Sequence, residues 1–360
     1  MDFQLTDEQA LLRDTTRNLL SRSYDQESRN KVADSELGWS REVWNQLAEI
    51  GILGLGFDED AGGQIEIALV MTEVGRALAP EPVAFAALAP GSLIAELGRG
   101  EQRALLDDVA SGRSLLGFAH AGVATAAREG DSWTLTGLKN PVPAGDSADV
   151  LVVSAELPGG GTGLFLVEGG AGAVVRQPYR TFDGRRGAQI DLGGVPARPL
   201  GEAVDATRPI ARAVIRAQSA LCAEAVGAME EALRLTTEYL KTRKQFGVTL
   251  NTFQTLTQRA ADMYVALEMA RSMSHYAAMS IADGNFDPVI ASRAKLQIGR
   301  SARHIGQEAI QLHGGIGMTA EYPVGHYTAR LTAIEQTLGS SSDHLQVLID
   351  GVGDYDIVTL

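Results

Sequence analysis

Apolar residues recur at helical spacing at both ends of the chain and alternate over short runs in its middle. Thr6, with Gln9 three residues later, is a capping-box signature, and Leu11, Leu12, Leu19 and Leu20 then supply apolar positions at helical spacing. A second helix carries Trp44, Leu47 and Ile50 and stops near Gly51, before a loop rich in glycine that runs to Gln64. The helical pattern resumes over Ile65 to Ala79 and again after Pro80 and Pro82 to Leu97. From Ser114 the chain turns rich in Gly, Val and Thr, with strand-like runs at Trp133–Leu138, Val150–Ser154, Leu164–Val167, Val174–Arg176 and Ala188–Leu192. Gly159–Gly161 reads as a hairpin loop. Beyond Thr207, Val226, Met229, Leu233 and Leu240 share one face, Phe253, Leu256, Ala260, Met263 and Leu267 a second, and Ala291, Ala294, Ile298, Ile305, Ala309 and Leu312 a third, ended by Gly314 and Gly315. A fourth helix is expected from Pro323 to Leu338.

The pattern predicts a mixed, mainly α fold: an N-terminal helical domain (1–113), a middle β-barrel or sandwich domain (114–205) and a C-terminal four-helix bundle (206–360). With 360 residues, 45% hydrophobic and 21% charged, the chain is large enough for several domains and has the balance of a globular protein. No run approaches the ~20 apolar residues of a membrane span, and no signal pattern opens the chain, so no membrane association and a cytoplasmic location are expected. A net charge of −14 argues against nucleic-acid binding. Cys222, the single cysteine, excludes an internal disulfide and reads as a buried helix residue.

The six histidines show no metal-ligand spacing, and no nucleophile elbow or phosphate-binding loop is present. Chemistry is concentrated instead in two short segments at helix ends, Arg243-Lys244-Gln245-Phe246-Gly247 and Gln311-Leu312-His313-Gly314-Gly315-Ile316-Gly317. Arg243 and Lys244 suit a helix C-terminus, where the dipole favours cations, but Arg, amide and aromatic together also suit a phosphate and a base. The glycines either end a helix or let a ligand approach the backbone. Gln254 either caps its helix with Asn251 or belongs to the same ligand set.

The order of domains, with Arg-Lys-Gln-Phe-Gly, Phe253-Gln254, Gln-Leu-His-Gly-Gly-Ile-Gly and Glu321-Tyr322-Pro323, resembles the acyl-CoA dehydrogenase family over essentially the whole chain. The resemblance implies FAD shared across a subunit interface, one subunit holding the flavin ring in its β domain and its neighbour supplying adenine and pyrophosphate contacts. Arg243, Gln245, Phe246, Gln254, Gln311, Gly314 and Gly315 match the neighbour's set. An acyl-CoA substrate and electron-transfer flavoprotein as acceptor are implied as well.

The same resemblance marks what is missing. The family's ring-binding loop corresponds to the shorter Phe118–Val123, and its Lys-x-Trp-Ile-Thr-Asn corresponds to Lys139-Asn140-Pro141-Val142-Pro143-Ala144, which lacks both Trp and Thr. The glutamate base falls on Gly339 and its following threonine on Ser341, or on Ala217 in the branch that carries the base earlier. Glu224 lies ~10 Å from Ala217 along its helix and Glu335 about 6 Å from Gly339. Glu335 is the one stand-in base, and otherwise reads as a solvated helix glutamate. These losses resemble the non-catalytic subunit of actinobacterial α2β2 acyl-CoA dehydrogenases acting on steroid side-chain CoA esters, with a homologous catalytic subunit as partner. Two further expectations compete with it: a self-sufficient homotetramer using Glu335, and a non-redox binding relative.

Overall fold

The computed structural model describes residues 4–58 and 61–354. They form two compact units that do not follow the order of the chain.

The first unit contains residues 1–26, 64–79 and 218–360. Its helices are α1 (Asp7–Ser23), α4 (Gln64–Ala77), the greater part of α7 (Thr207–Thr242), α8 (Gln254–Ala282), α9 (Pro288–His313), α10 (Pro323–Gln336) and α11 (Ser341–Asp350). The Thr6–Gln9 capping box opens α1, with the Gln9 amide donating to Thr6 Oγ1 at 3.2 Å and the Thr6 amide to Gln9 Oε1 at 3.1 Å. The apolar faces read from α7 and α9 are buried as expected, from Val226 and Met229 to Ile305 and Leu312. Helices α4 and α7 cross backbone to backbone: a Cβ on Gly75 would sit 1.8 Å from the Glu224 carbonyl oxygen, and one on Gly227 1.8 Å from that of Thr72. Around the crossing, Glu73 accepts from Arg17 at 2.7 and 2.9 Å and from Arg76 at 3.1 Å, while Glu230 pairs with Arg76 and Arg271. Cys222 is buried on α7.

The second unit contains residues 27–63 and 80–217. Its helices include α3 (Arg41–Glu49), α5 (Ala89–Leu97) and α6 (Glu101–Ala110), and α2 (Gln26–Ala33) begins at its edge. Seven strands follow: β1 (Leu116–Ala119), β2 (Gly122–Glu129), β3 (Ser132–Pro143), β4 (Val150–Glu156), β5 (Thr162–Glu168), β6 (Val174–Arg180) and β7 (Arg186–Pro199). Pairing runs β4-β2-β3-β7-β5 and returns to β4, closing a barrel, with β1 parallel to β4 and β6 beside β7. Inward positions such as Leu135, Leu151, Val153, Phe165, Ile190 and Val195 fill it. The hairpin expected at Gly159–Gly161 joins β4 to β5.

Five of these elements lie beyond the pattern read above. β1 is buried on both faces, so it shows no alternation, and β2 buries only Ala124 and Ala126 of its eight residues. α2 buries no residue, and α6 buries only Leu106 and Val109. α11 does announce itself: Ser340 and Asp343 form a capping box, a signal legible in the sequence.

Candidate functional site

Helix α7 ends at Thr242, and the Arg243 amide donates back to the Tyr239 carbonyl at 2.8 Å. A two-residue ladder, β8 (Lys244–Gln245) against β9 (Val248–Thr249), then projects a turn whose residues Phe246 and Gly247 both have positive φ, 56° and 82°. Phe246 is 91% exposed and meets Phe253 edge-on at 6.1 Å between centroids. Arg243 forms no ion pair with another described residue, although the chain is rich in acids. An exposed aromatic and a guanidinium without an ion pair thus stand together on a short hairpin.

Helix α9 ends beside this hairpin in the same unit. Gly314 takes φ 66° and ψ −142°, a conformation that favours glycine, and thereby ends α9. At both Gly314 and Gly315 a Cβ would meet nothing within 4 Å, so open space lies over this turn. The His313 ring lies 4.6 Å from that of Tyr239 and brings the two motif segments together. Gln254 is exposed at the first position of α8, whose cap is Phe253 and not Asn251. The amide oxygen of Asn251 accepts from Thr249 Oγ1 at 2.6 Å, so the capping alternative for Gln254 and Asn251 is corrected. The result is a set of exposed donors, an aromatic face and an uncovered glycine turn at one end of the unit. This donor set fits phosphate and a planar base.

The turn at Gly339 has a different character. Leu338 and Gly339 have φ of 58° and 103°, and a Cβ on Gly339 would lie 2.7 Å from His344 Nε2. Lys295, buried, donates to the Ile334 and Thr337 carbonyls at 2.7 and 2.8 Å, and Gln218 donates to that of Leu338 at 3.0 Å. Burial lowers the Lys295 and His344 pKa values, yet both are held by carbonyls. Glu335 is not the solvated glutamate expected. It is 6% exposed, accepts from the Ser341 amide at 3.0 Å and from Gln336, and lies 3.5 Å from Arg303. Its carboxylate is drawn inward because it satisfies an orphan amide at the start of α11. Glu224 is likewise committed, to a bidentate pair with Arg330 at 2.7 and 2.8 Å.

In the barrel, β1 and β2 are joined by only His120 and Ala121. Lys139 is buried beneath them and donates to the His120 and Gly122 carbonyls, both at 3.1 Å, and to Ser154 Oγ at 3.2 Å. Burial pushes its pKa down to about 8. His120 stacks on Phe118 at 5.5 Å and its Nδ1 meets Ser154 Oγ at 3.0 Å. This connection is closed by its own donors, a role of Lys139 that its motif position alone does not reveal. Pro141 and Pro143 lie in β3 itself, with Val142 between them fully buried. Pro141 and Pro143 themselves offer neither an aromatic face nor a hydroxyl.

The acyl-CoA dehydrogenase N-terminal domain matches residues 6–113 and the acyl-CoA dehydrogenase C-terminal domain residues 214–352. A chain of a Tcur3481–Tcur3483 steroid ACAD variant superposes with a TM-score of 0.89 at 32% identity, over 97% of this chain and 98% of that one. The chain belongs to the acyl-CoA dehydrogenase family. Among its relatives, acyl-CoA dehydrogenase IpdE2 of Mycobacterium tuberculosis is 28% identical over 95% of this chain and 96% of its own. The ChsE4–ChsE5 complex of the same organism contains a chain with a TM-score of 0.92 and 25% identity, covering 99% of this chain and 100% of that one. Among the described residues no group of acidic, histidine or cysteine side chains could hold a metal ion, and no helix is long and apolar enough to cross a membrane.

Proposed function

We propose that this family member is the non-catalytic subunit of a heteromeric acyl-CoA dehydrogenase, supplying the adenine and pyrophosphate half of a FAD site to a homologous catalytic partner. Bound FAD supplies the hydride acceptor for α,β-desaturation of an acyl-CoA thioester. Arg243, Gln245, Phe246, Gln254, Gln311, Gly314 and Gly315 of this chain orient and retain it from across the interface. The flavin ring, the catalytic base and the acyl group belong to the partner's half. Two of the similar structures are of paired subunits and one is called a steroid ACAD, which supports an α2β2 assembly acting on steroid side-chain CoA esters; a cytoplasmic location is proposed with it. Electron-transfer flavoprotein is the proposed acceptor.

One contrast within the chain carries the reading: the donor set at Arg243 and Gly314–Gly315 is open, whereas the acidic group nearest the Gly339 turn, Glu335, is held by the Ser341 amide. The self-sufficient alternative has less support, because the Glu335 carboxylate is already taken by the Ser341 amide and Arg303. The acidic balance weighs against the nucleic-acid-binding relative.

The lone chain should purify with little or no flavin, whereas the complex with its partner should hold one FAD per pair of chains. Absorbance of purified protein decides it, and stoichiometric flavin in the lone chain would refute the assignment. Within the complex, Arg243→Ala removes a charge-assisted phosphate contact and should weaken FAD about 10- to 150-fold. Loss of the helix-end cation lowers stability by only about 0.3–1 kcal/mol, so unchanged FAD affinity with a lowered melting temperature would reduce Arg243 to that minor role.

A further inference from the structure

His313 ends α9 and is 4% exposed, yet one of its ring nitrogens has no hydrogen-bond partner. Its Nδ1 lies 2.7 Å from the Ala309 carbonyl oxygen. A carbonyl only accepts, so Nδ1 carries the proton of the neutral ring and the buried Nε2 makes no hydrogen bond, the Leu235 carbonyl being the ring's other backbone neighbour. Around it, the Tyr239 ring lies at 4.6 Å, the Tyr322 ring at 4.9 Å, and the two tyrosines at 6.2 Å from each other.

The position of this cluster matters more than its composition. Tyr239 lies four residues before Arg243, and its carbonyl accepts the Arg243 amide. His313 immediately precedes Gly314, and Tyr322 is the cap residue of α10. One imidazole at the end of α9 therefore touches the last turn of α7, which leads into the Arg243–Phe246 hairpin, and the cap of α10.

We propose that His313 is a positioning residue for cofactor retention: neutral and wedged between Tyr239 and Tyr322, it holds the Arg243–Phe246 hairpin and the Gln311–Gly315 turn in register, and its protonation loosens both. The inference rests on the FAD reading above. Adding a proton at Nε2 puts a charge into a site built from two phenol rings and desolvated backbone. Facing it are the Ala309 carbonyl from α9 and the Leu235 carbonyl from α7, which partly favour the charged form, while burial opposes it more strongly. On α7, Arg234 and Glu238 act on the Tyr322 hydroxyl, and Arg234 is itself paired with Glu231 and Glu238. The net direction is a pKa below the ordinary 6.5. The register is thus fully held above the unfolded value and is lost as pH falls through the folded one.

The test uses the complex with its partner, titrating FAD dissociation from about pH 8 to about pH 5 in wild type, His313→Phe and His313→Ala. Wild type should bind FAD about tenfold more weakly at the acid end, a coupling of ordinary size. His313→Phe keeps an aromatic wedge that cannot titrate, and should hold FAD as wild type does at pH 8 with a flattened profile. His313→Ala should bind weakly throughout. A Phe variant with the wild-type acid slope, or an Ala variant that retains FAD, overturns the proposal. Amide hydrogen exchange on the lone chain separates the two layers of the argument. Faster exchange at both Lys244–Thr249 and Gly314–Met318 in His313→Ala supports the joint, and unchanged exchange at both overturns it. Faster exchange at both with undiminished FAD binding in the complex overturns the cofactor reading instead.

Discussion

Arg330→Ala should cost the fold about 3–5 kcal/mol, because it removes the bidentate cation from the buried Glu224 carboxylate. Glu224 is 2% exposed and Arg330 12%, and the guanidinium grips both carboxylate oxygens at 2.7 and 2.8 Å. The pair joins α7 to α10, so its loss also loosens the helix that leads into the Gly339 turn. Replacing both partners by apolar residues of similar length, Glu224→Leu with Arg330→Met, should recover most of the loss, since the desolvation of two ions disappears with them. Urea denaturation of the two variants checks this. A single variant as stable as wild type would mean that water reaches Glu224.

Gly227→Ala should be at least as damaging, by about 3 kcal/mol or more, although it adds only one methyl group. The new carbon would lie 1.8 Å from the Thr72 carbonyl oxygen and 2.9 Å from the Arg76 amide nitrogen. Both neighbours are backbone, which cannot rotate away, so α4 and α7 must separate along their crossing. Separation draws Arg76 away from Glu230. Gly284→Ala, at a position with positive φ but open surroundings, is the control for backbone strain without collision. A Gly227→Ala protein melting at or above the control's temperature would refute the close crossing.

The helices with strong apolar faces were legible because burial follows periodicity: the stripes on α7 and α9 are the buried stripes. β1 was illegible for the opposite reason, being buried on both sides and hence without alternation. α2 and α6 bury too little to mark a face, whereas α11 carried its Ser340–Asp343 signal in plain view. At the site, motif spacing located Arg243 and Gln311–Gly315 at helix ends but said nothing of the rings that join them. Tyr239 and His313 are far apart in sequence and meet only through the packing of α7 on α9. The environment of Glu335 was equally hidden. Position on a helix places a carboxylate on a face, but the amide that turns it inward belongs to Ser341, beyond a turn set by two residues of positive φ.

The single thiol has a practical consequence. Cys222 is fully buried on α7, and burial pushes its pKa up to about 12 despite the nearby Lys295. The thiolate is the reactive form, so at neutral pH the native chain offers alkylating reagents almost nothing to attack. A cysteine introduced on the exposed hairpin, for instance at Phe246, would therefore take a maleimide fluorophore at one site without first removing the native residue. The label would sit where the partner's cofactor is expected to arrive, and any later loss of selectivity, with dye appearing on Cys222, would time the opening of the helical core.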